Sequence, residues 1–220
     1  MPAPVIPPPM TKTSTAPLAN SARDAARVEA EKGEITPLFS RRNERGQPPS
    51  AWFTWHAGVF QPGVRVLDLA SGPGRHALLA AEYGADVVAV DSDANSLAVL
   101  EREAQRRHVS VKTLHMDLRS SQITPASFDV VLLFDYLDRE RFPDFRAAVK
   151  PGGYFIAETF LLAQRQQGWG PESEEHLLEP GELLRLVEPF EVVLSREVIE
   201  MIDGRPAAVA SVFAINNTGQ

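Results

Sequence analysis

Val64-Arg65-Val66-Leu67-Asp68-Leu69-Ala70-Ser71-Gly72-Pro73-Gly74-Arg75-His76-Ala77 continues through Leu78-Leu79-Ala80-Ala81-Glu82-Tyr83-Gly84-Ala85 to Asp86-Val87-Val88-Ala89-Val90-Asp91-Ser92-Asp93. An apolar run, a Gly-rich turn, a helical run, a Gly stop and a second apolar run predict a strand–helix–strand unit. The first strand is apolar on both faces, as a buried parallel strand is. Gly72 and Gly74 let the backbone turn sharply and pass close to a ligand, because no side chain intervenes. The helix that follows points its free N–H groups at that ligand. Asp91 ends the second strand 19 positions beyond Gly72, the spacing at which a carboxylate grips ribose hydroxyls. The unit reads as a nucleoside-binding half-site.

Gly72-Pro73-Gly74-Arg75-His76-Ala77 also fits the dinucleotide fingerprint G-x-G-x-x-G/A. Other features pull away from a dinucleotide. Asp68 stands at the strand end just before the glycines, where a carboxylate repels a pyrophosphate and suits a cationic or amino-bearing ligand. A second acid, Asp117, follows a third short apolar run in His115-Met116-Asp117-Leu118. Pro151-Gly152-Gly153 makes a turn directly before the apolar run Tyr154-Phe155-Ile156-Ala157 and after a helix-like run ending in Val149-Lys150.

Together these residues resemble the class I S-adenosylmethionine-dependent methyltransferases, over about Val64 to Phe213. The resemblance implies a Rossmann-like, doubly wound α/β fold: a mostly parallel seven-stranded sheet with a C-terminal antiparallel hairpin. It implies S-adenosylmethionine as cofactor, with the glycine loop cradling the methionine part, Asp91 holding the ribose, and Asp117 with Met116 and Leu118 marking the adenine pocket. The cofactor set carried over onto this chain is Asp68, Ala70, Ser71, Gly72, Gly74, Arg75, Asp91, Ser92, Met116, Asp117, Leu118 and Phe134. Read alone, each acid is equally a helix cap or a solvated loop residue. Their common register with the glycine loop is what binds them into one site.

Three stretches are similar to the small bacterial methyltransferases grouped with tellurite-resistance and thiopurine enzymes. They are Ala70 to Ala77, Tyr136-Leu137-Asp138-Arg139, and His176-Leu177-Leu178-Glu179-Pro180-Gly181-Glu182-Leu183. Those relatives carry Asn where Asp135 stands and His where Asp138 stands, so a shared substrate does not follow.

The 220 residues allow one α/β domain with a sizeable core and a short extension. A net charge of −7 argues against nucleic acid and anionic membrane surfaces as partners. Cysteine is absent, which removes disulfides, thiolate metal sites and a Cys nucleophile. No apolar run approaches a membrane span and no secretory leader is visible, so the cytoplasm is the expected compartment. A monomer or weak homodimer is expected.

Outward from the core unit, residues 1–20 read as a Pro-rich extended tail and 21–60 as a helical or lid extension to the domain at 61–220. Ser21 to Lys32 is a plausible helix, and Pro37 to Ser50 is a polar basic segment. Ala51 to Ala57 is expected to be helical with Ser50 as cap. Its Trp52 and Trp55 either pack on the sheet or form a lid across the cofactor mouth, with Arg41 or Arg42 reaching carboxylates. Asp93 caps a helix to about Arg107, with Leu97, Leu100 and Ala104 inward. Val109 to Met116 is a less buried third strand, and Phe128 to Phe134 is the most apolar and therefore central one. A helix over Arg139 to Val149 contains Pro143, the fifth strand spans Gly153 to Thr159, and a short helix covers Leu183 to Val187. Two final strands, Glu191 to Glu200 and Pro206 to Ile215, meet at Asp203-Gly204, a hairpin signal.

Ligands bind at the carboxyl ends of parallel strands, so the acceptor candidates follow the fourth and fifth strands: Asp135, Tyr136, Arg139 and Glu158. Asp135-Tyr136 lacks the two prolines of the amino-methylating DNA enzymes, which argues against a DNA base. Phe160 to Glu179 is a long connection without structure of its own, and Gly168-Trp169-Gly170 marks it as a substrate-side lid or a surface excursion with Trp169 packed on the core. Asp135, Tyr136 and His176 are the catalytic candidates, with Glu158 a further base. The five histidines are scattered, so no metal site is expected. A small-molecule methyl acceptor is the favoured reading. The alternatives are an RNA or protein acceptor, a nicotinamide-dependent oxidoreductase, and a non-catalytic cofactor binder.

Overall fold

The computed structural model describes residues 47–218. The expected tail, the helix at 21–32, the basic residues 37–46 and the reach of Arg41 or Arg42 lie outside them. Among the described residues seven strands form one sheet in the order β3-β2-β1-β4-β5-β7-β6. The strands are β1 Arg65–Leu69, β2 Asp86–Asp91, β3 Val111–His115, β4 Phe128–Phe134, β5 Val149–Phe160, β6 Glu191–Ile202 and β7 Arg205–Ile215. The first five are parallel, and β7 runs antiparallel between β5 and β6. This is the expected mostly parallel, doubly wound sheet with its antiparallel hairpin. In the hairpin turn Asp203 and Gly204 both take positive φ, 50° and 76°. That turn matches the right-handed twist of the strands it joins.

The helices are α1 Ala51–Trp55, α2 Arg75–Glu82, α3 Ala94–Arg107, α4 Phe142–Ala147 and α5 Glu182–Val187. Asp93 caps α3 by accepting from Asn95 N–H at 3.0 Å, and Leu97, Leu100 and Ala104 are its buried apolar face. β4 is apolar almost throughout because it lies mid-sheet between β1 and β5. Phe142, Phe145 and Phe155 fill the core with Leu67, Val131 and Val149. Helix α1 is capped by Ser50 as expected. Its Trp52 indole N–H donates to Val212 O at 3.2 Å, and Phe53 stacks on Phe60 with ring centroids 4.8 Å apart. Burying rings of this size stabilises the fold by about 1.5–3 kcal/mol each. Trp55, by contrast, is 64% exposed.

Three boundaries differ from expectation. The helix expected over Arg139 to Val149 is the short α4, because Pro143 lacks an N–H and fits only a first turn. β5 begins at Val149 and passes through Pro151-Gly152-Gly153 with a register shift against β4, so that triplet lies in the strand rather than before it. Gly153 is required there, since a Cβ would sit 2.7 Å from Asp129 O. The connection from Phe160 to Glu179 is also more ordered than its composition suggests. Its ends pair at Leu161 and Leu178, and 3₁₀ turns occupy Leu162–Gln167 and Glu174–His176. Fully buried Gln164 fastens it, accepting from Ala208 N–H and donating to Trp169 O, both at 2.8 Å.

Candidate methyl-transfer site

β1 and β4 are neighbours whose connections leave in opposite directions, so a crevice opens beyond their carboxyl ends. Each strand is followed by a non-glycine residue in the left-handed region, Ala70 at φ 52° and Asp135 at φ 55°. Such residues cost about 1–3 kcal/mol each and cluster where function needs the backbone turned.

The glycine loop between β1 and α2 is tied to the end of β2. Ser71 N–H donates to Val90 O at 3.0 Å. The Asp91 carboxylate accepts Gly72 N–H at 2.7 Å and Asp93 N–H at 2.8 Å. The two glycines do different jobs. Gly72, at φ +54°, has open space where a Cβ would point, which leaves its backbone bare to a ligand. Gly74, at φ +80°, has Leu100 Cδ1 2.2 Å from that position, so it lets α2 pack against α3.

Below the loop, Asp68 is buried and accepts Ala77 N–H at 3.1 Å. Burial pushes its carboxyl up to about 7, opposed by the Ala77 bond and Arg75 and assisted by Asp91. Asp68 therefore anchors the start of α2 rather than meeting a ligand directly. Its proton is held more tightly in the folded chain than in the unfolded one. Stability is then greatest below the ordinary carboxylate range and falls as pH rises through about 7. The Asp68 contribution between pH 4 and pH 8 is on the order of 3–4 kcal/mol. Buried His76, whose pKa is lowered by burial, works the other way as pH falls, so the Asp68 contribution is read by comparison: the melting temperature of wild type relative to Asp68→Asn should be higher at pH 5 than at pH 8. Equal slopes for the two proteins would show that Asp68 does not titrate in this window.

A cavity of about 380 Å³ lies beside the loop, lined by Ala70, Asp91, Ser92, Met116, Asp117, Leu118, Arg119 and Tyr136. Asp91 offers acceptors for vicinal hydroxyls, and Met116 and Leu118 offer apolar walls for a flat base. Asp117 Oδ1 also accepts Arg119 N–H at 2.9 Å, shaping the turn below. The acidity of Asp91 over the bare loop disfavours a pyrophosphate and admits an adenosine whose other end is cationic. The residues present fit S-adenosylmethionine: Asp91 would meet the ribose, Met116 and Leu118 would flank the base, and the Gly72 backbone would lie under the methionine part.

A second cavity, of about 250 Å³, has Asp135 in its wall. Arg75 pairs with Asp135 at 2.7 Å on its wall. Glu158 from β5 forms another wall, with Phe160, Trp169 and residues 47–51. The hairpin tip, from Glu200 to Arg205, completes it. Glu158 is almost wholly buried and accepts from Ser50 Oγ at 2.6 Å, Ser211 Oγ at 2.7 Å and Arg196 at 3.0 Å. Burial raises its carboxyl from the ordinary value, against those three donors. Arg196 also grips Glu200 through two nitrogens, at 2.9 and 2.7 Å, and lies over the rings of Trp52 and Trp55.

Several expected site residues stand elsewhere. Tyr136 lines the cofactor cavity, not the acceptor side. Arg139 is taken up by Glu182, at 2.5 and 2.9 Å, and by the carbonyls of Glu175 and Leu177, so it straps the chain together. His176 is an exposed residue of a 3₁₀ turn with Glu175 at 3.3 Å, and it lines neither cavity. Phe134 is buried against Phe53 and His76 and lines neither cavity. Ser71 is likewise buried. Arg75, expected on the cofactor, walls the second cavity. Trp169 packs on its neighbours and also borders the second cavity. Its indole N–H donates to Pro206 O at 2.6 Å, its ring meets Phe160 edge-on, and it lines the second cavity. Arg196, Glu200 and Ser211 went unremarked as site residues in the sequence, and Ser50 was read there only as a helix cap. An Arg four residues before a Glu on one strand was the only local signal. Among the described residues no cluster of three His, Asp or Glu side chains is placed to hold a metal ion, and no helix is long and apolar enough to cross a membrane.

Residues 66–153 match the family model described as methyltransferase domain. A ubiquinone biosynthesis O-methyltransferase from Idiomarina loihiensis is 31% identical over 154 residues, covering 60% of this chain and 61% of that protein. A probable S-adenosyl-L-methionine-dependent methyltransferase TehB from Haemophilus influenzae is 31% identical over 105 residues, 44% of this chain and 36% of that protein. The crystal structure of TehB from Haemophilus influenzae superposes with a TM-score of 0.68 at 19% identity, over 79% of this chain and 64% of that one. The chain spans less than two thirds of each of these relatives. Residues 66–153 thus match a methyltransferase domain, and the chain is similar to the TehB group in sequence and in fold. The cofactor of this family is S-adenosylmethionine.

Proposed function

We propose that the protein transfers a methyl group from S-adenosylmethionine to a small-molecule acceptor held in the 250 Å³ cavity. One observation carries this reading. Asp135, at a left-handed kink after β4, lines the smaller cavity, walled by polar and aromatic side chains, while the next residue, Tyr136, lines the cavity suited to adenosine. The cofactor supplies a methyl carbon on a sulfonium, which a lone pair attacks in line. Its sulfur leaves neutral, so this chain need not furnish an acid for it. What the chain must do is align the two partners, and alignment of that kind supplies roughly 7–11 kcal/mol of the barrier. Asp91 and the Gly72 backbone fix one partner. Glu158, Asp135 and Arg75 face the other, while Phe160 and Trp169 keep bulk water off. The cavity's size favours a small molecule over an RNA or protein chain.

The test is thermal. S-adenosylhomocysteine at about 100 times its Kd should stabilise the fold by about 2.7 kcal/mol, while NADP should do nothing. A shift with NADP and none with S-adenosylhomocysteine would end this reading and restore the oxidoreductase alternative.

A further inference from the structure

The charges around the acceptor cavity do not cancel. Arg75 is matched by Asp135 at 2.7 Å. At the mouth Asp203 and Arg205 are of opposite sign, with Arg205 lying 4.2 Å from the Trp169 ring. Deeper in, one guanidinium, Arg196, serves two carboxylates, Glu158 at 3.0 Å and Glu200 at 2.7 Å. Among the described residues Arg196 is the only cation that either of them touches, so this trio carries one negative charge more than it has positive.

Ser50 and Ser211 donate to Glu158 but bring no charge. The pair can be brought to neutrality by a cation in the cavity or by a proton on one carboxylate. An oxyanion or a phenolate would add to the imbalance, and like charges brought together in a desolvated site are repelled. A protonated amine removes it, first as a cation and then by handing over its proton. Glu158 is the carboxylate placed to take that proton, since it is the more buried and its carboxyl is raised by burial.

Building on the methyltransferase reading, we propose that the acceptor is a small amine and that Glu158, held by Ser50, Ser211 and Arg196, receives its proton. The ammonium N–H bond breaks and its proton goes to a Glu158 oxygen, leaving a lone pair on nitrogen. That lone pair forms the new N–C bond, the S–C bond breaks, and its electron pair stays on sulfur. Glu158 then returns its proton to water. Arg196 is a positioning residue: through Glu200 and the Trp52 and Trp55 rings it fixes the carboxylate that meets the amine.

The wild-type chain is incubated with methyl-labelled S-adenosylmethionine and two pools matched for size. One holds small aliphatic and aromatic amines, the other phenols, carboxylates and selenite. Label should enter the amine pool at least about tenfold faster, in keeping with the cost of placing a like charge in the wrong site. In Glu158→Gln, transfer to aliphatic amines, which arrive protonated, should fall by about 100-fold, the lower range of general-base effects. Transfer to aromatic amines, which arrive neutral, should fall far less. A merely structural role would depress both alike. Calorimetric affinity for S-adenosylhomocysteine should stay within about twofold, as for a residue outside the cofactor cavity. Label entering the second pool as fast as the amines, or none in the amines from a chain that binds S-adenosylhomocysteine, overturns the amine assignment. Equal losses on both amine types remove Glu158 as the proton acceptor. A chain that does not bind S-adenosylhomocysteine instead brings down the methyltransferase reading beneath it.

Discussion

Asp91→Ala should weaken S-adenosylhomocysteine binding by about 1–3 kcal/mol, the scale of lost charge-assisted hydrogen bonds. In Kd this is roughly 5- to 150-fold. The carboxylate does two jobs that the substitution removes together. It faces the cavity that fits adenosine, and it holds the glycine loop through Gly72 N–H and Asp93 N–H. The variant should therefore also melt lower, by about 2–4 °C for each kcal/mol of lost loop anchoring. The sequence alone suggested a purely ligand-facing acid whose loss would spare the fold, and the two backbone bonds change that expectation. Calorimetry of the variant against S-adenosylhomocysteine decides the matter. Unchanged affinity would take Asp91 out of the site.

The second large effect is expected at Gly74. Alanine there must adopt φ near +80° and place its Cβ 2.2 Å from Leu100 Cδ1. The left-handed conformation costs about 1–2 kcal/mol, and overpacking a filled core adds about 1–3 kcal/mol. Leu100 is completely buried, so it has little room to withdraw. Gly74→Ala should thus lower the melting temperature by roughly 5–15 °C. Gly72→Ala carries similar backbone strain but meets no neighbouring atom. Its main defect should be in ligand binding, where the new methyl group stands over the bare loop. Measuring Tm and S-adenosylhomocysteine affinity for both separates the two roles. A Gly74→Ala protein as stable as wild type would contradict the packing described.

The cofactor half of the molecule was legible because its determinants are local. Asp93 and the spacing of Leu97, Leu100 and Ala104 define α3 within 14 residues. The glycine loop and Asp91 belong to one strand–helix–strand unit. Where local signals conflict with tertiary context, reading fails. Pro151-Gly152-Gly153 is a turn by composition, yet Asn216, the residue after β7, offers its O to Gly152 N–H at 2.7 Å and holds the triplet against the sheet. Phe160 to Glu179 looks structureless, because its order comes from Gln164 bonding to β7 and from the pairing of Leu161 with Leu178. The acceptor cavity was the least legible part. Ser50, Glu158, Arg196 and Ser211 converge from four distant places. The alternation of β6 reads as an ordinary solvated edge, although Arg196 points inward to Glu158. Arg139 drew notice by its place after the fourth strand and His176 by its place in the long connection, yet neither lines either cavity.

The two cavities draw on different parts of the chain. Every wall of the cofactor cavity lies between Ala70 and Tyr136, inside the stretch 66–153 that the family model recognises. Outside Arg75 and Asp135, the acceptor cavity is built from residues 47–51 and from Glu158 onward, beyond that stretch. Descent can therefore hold the donor chemistry fixed while the ends of the chain drift, and kinship within the shared stretch carries no inheritance of acceptor preference. The same division makes the molecule a host for grafts. Exchanging the β6–β7 tip and residues 47–51 together should re-address the methyl group without disturbing the nucleoside grip.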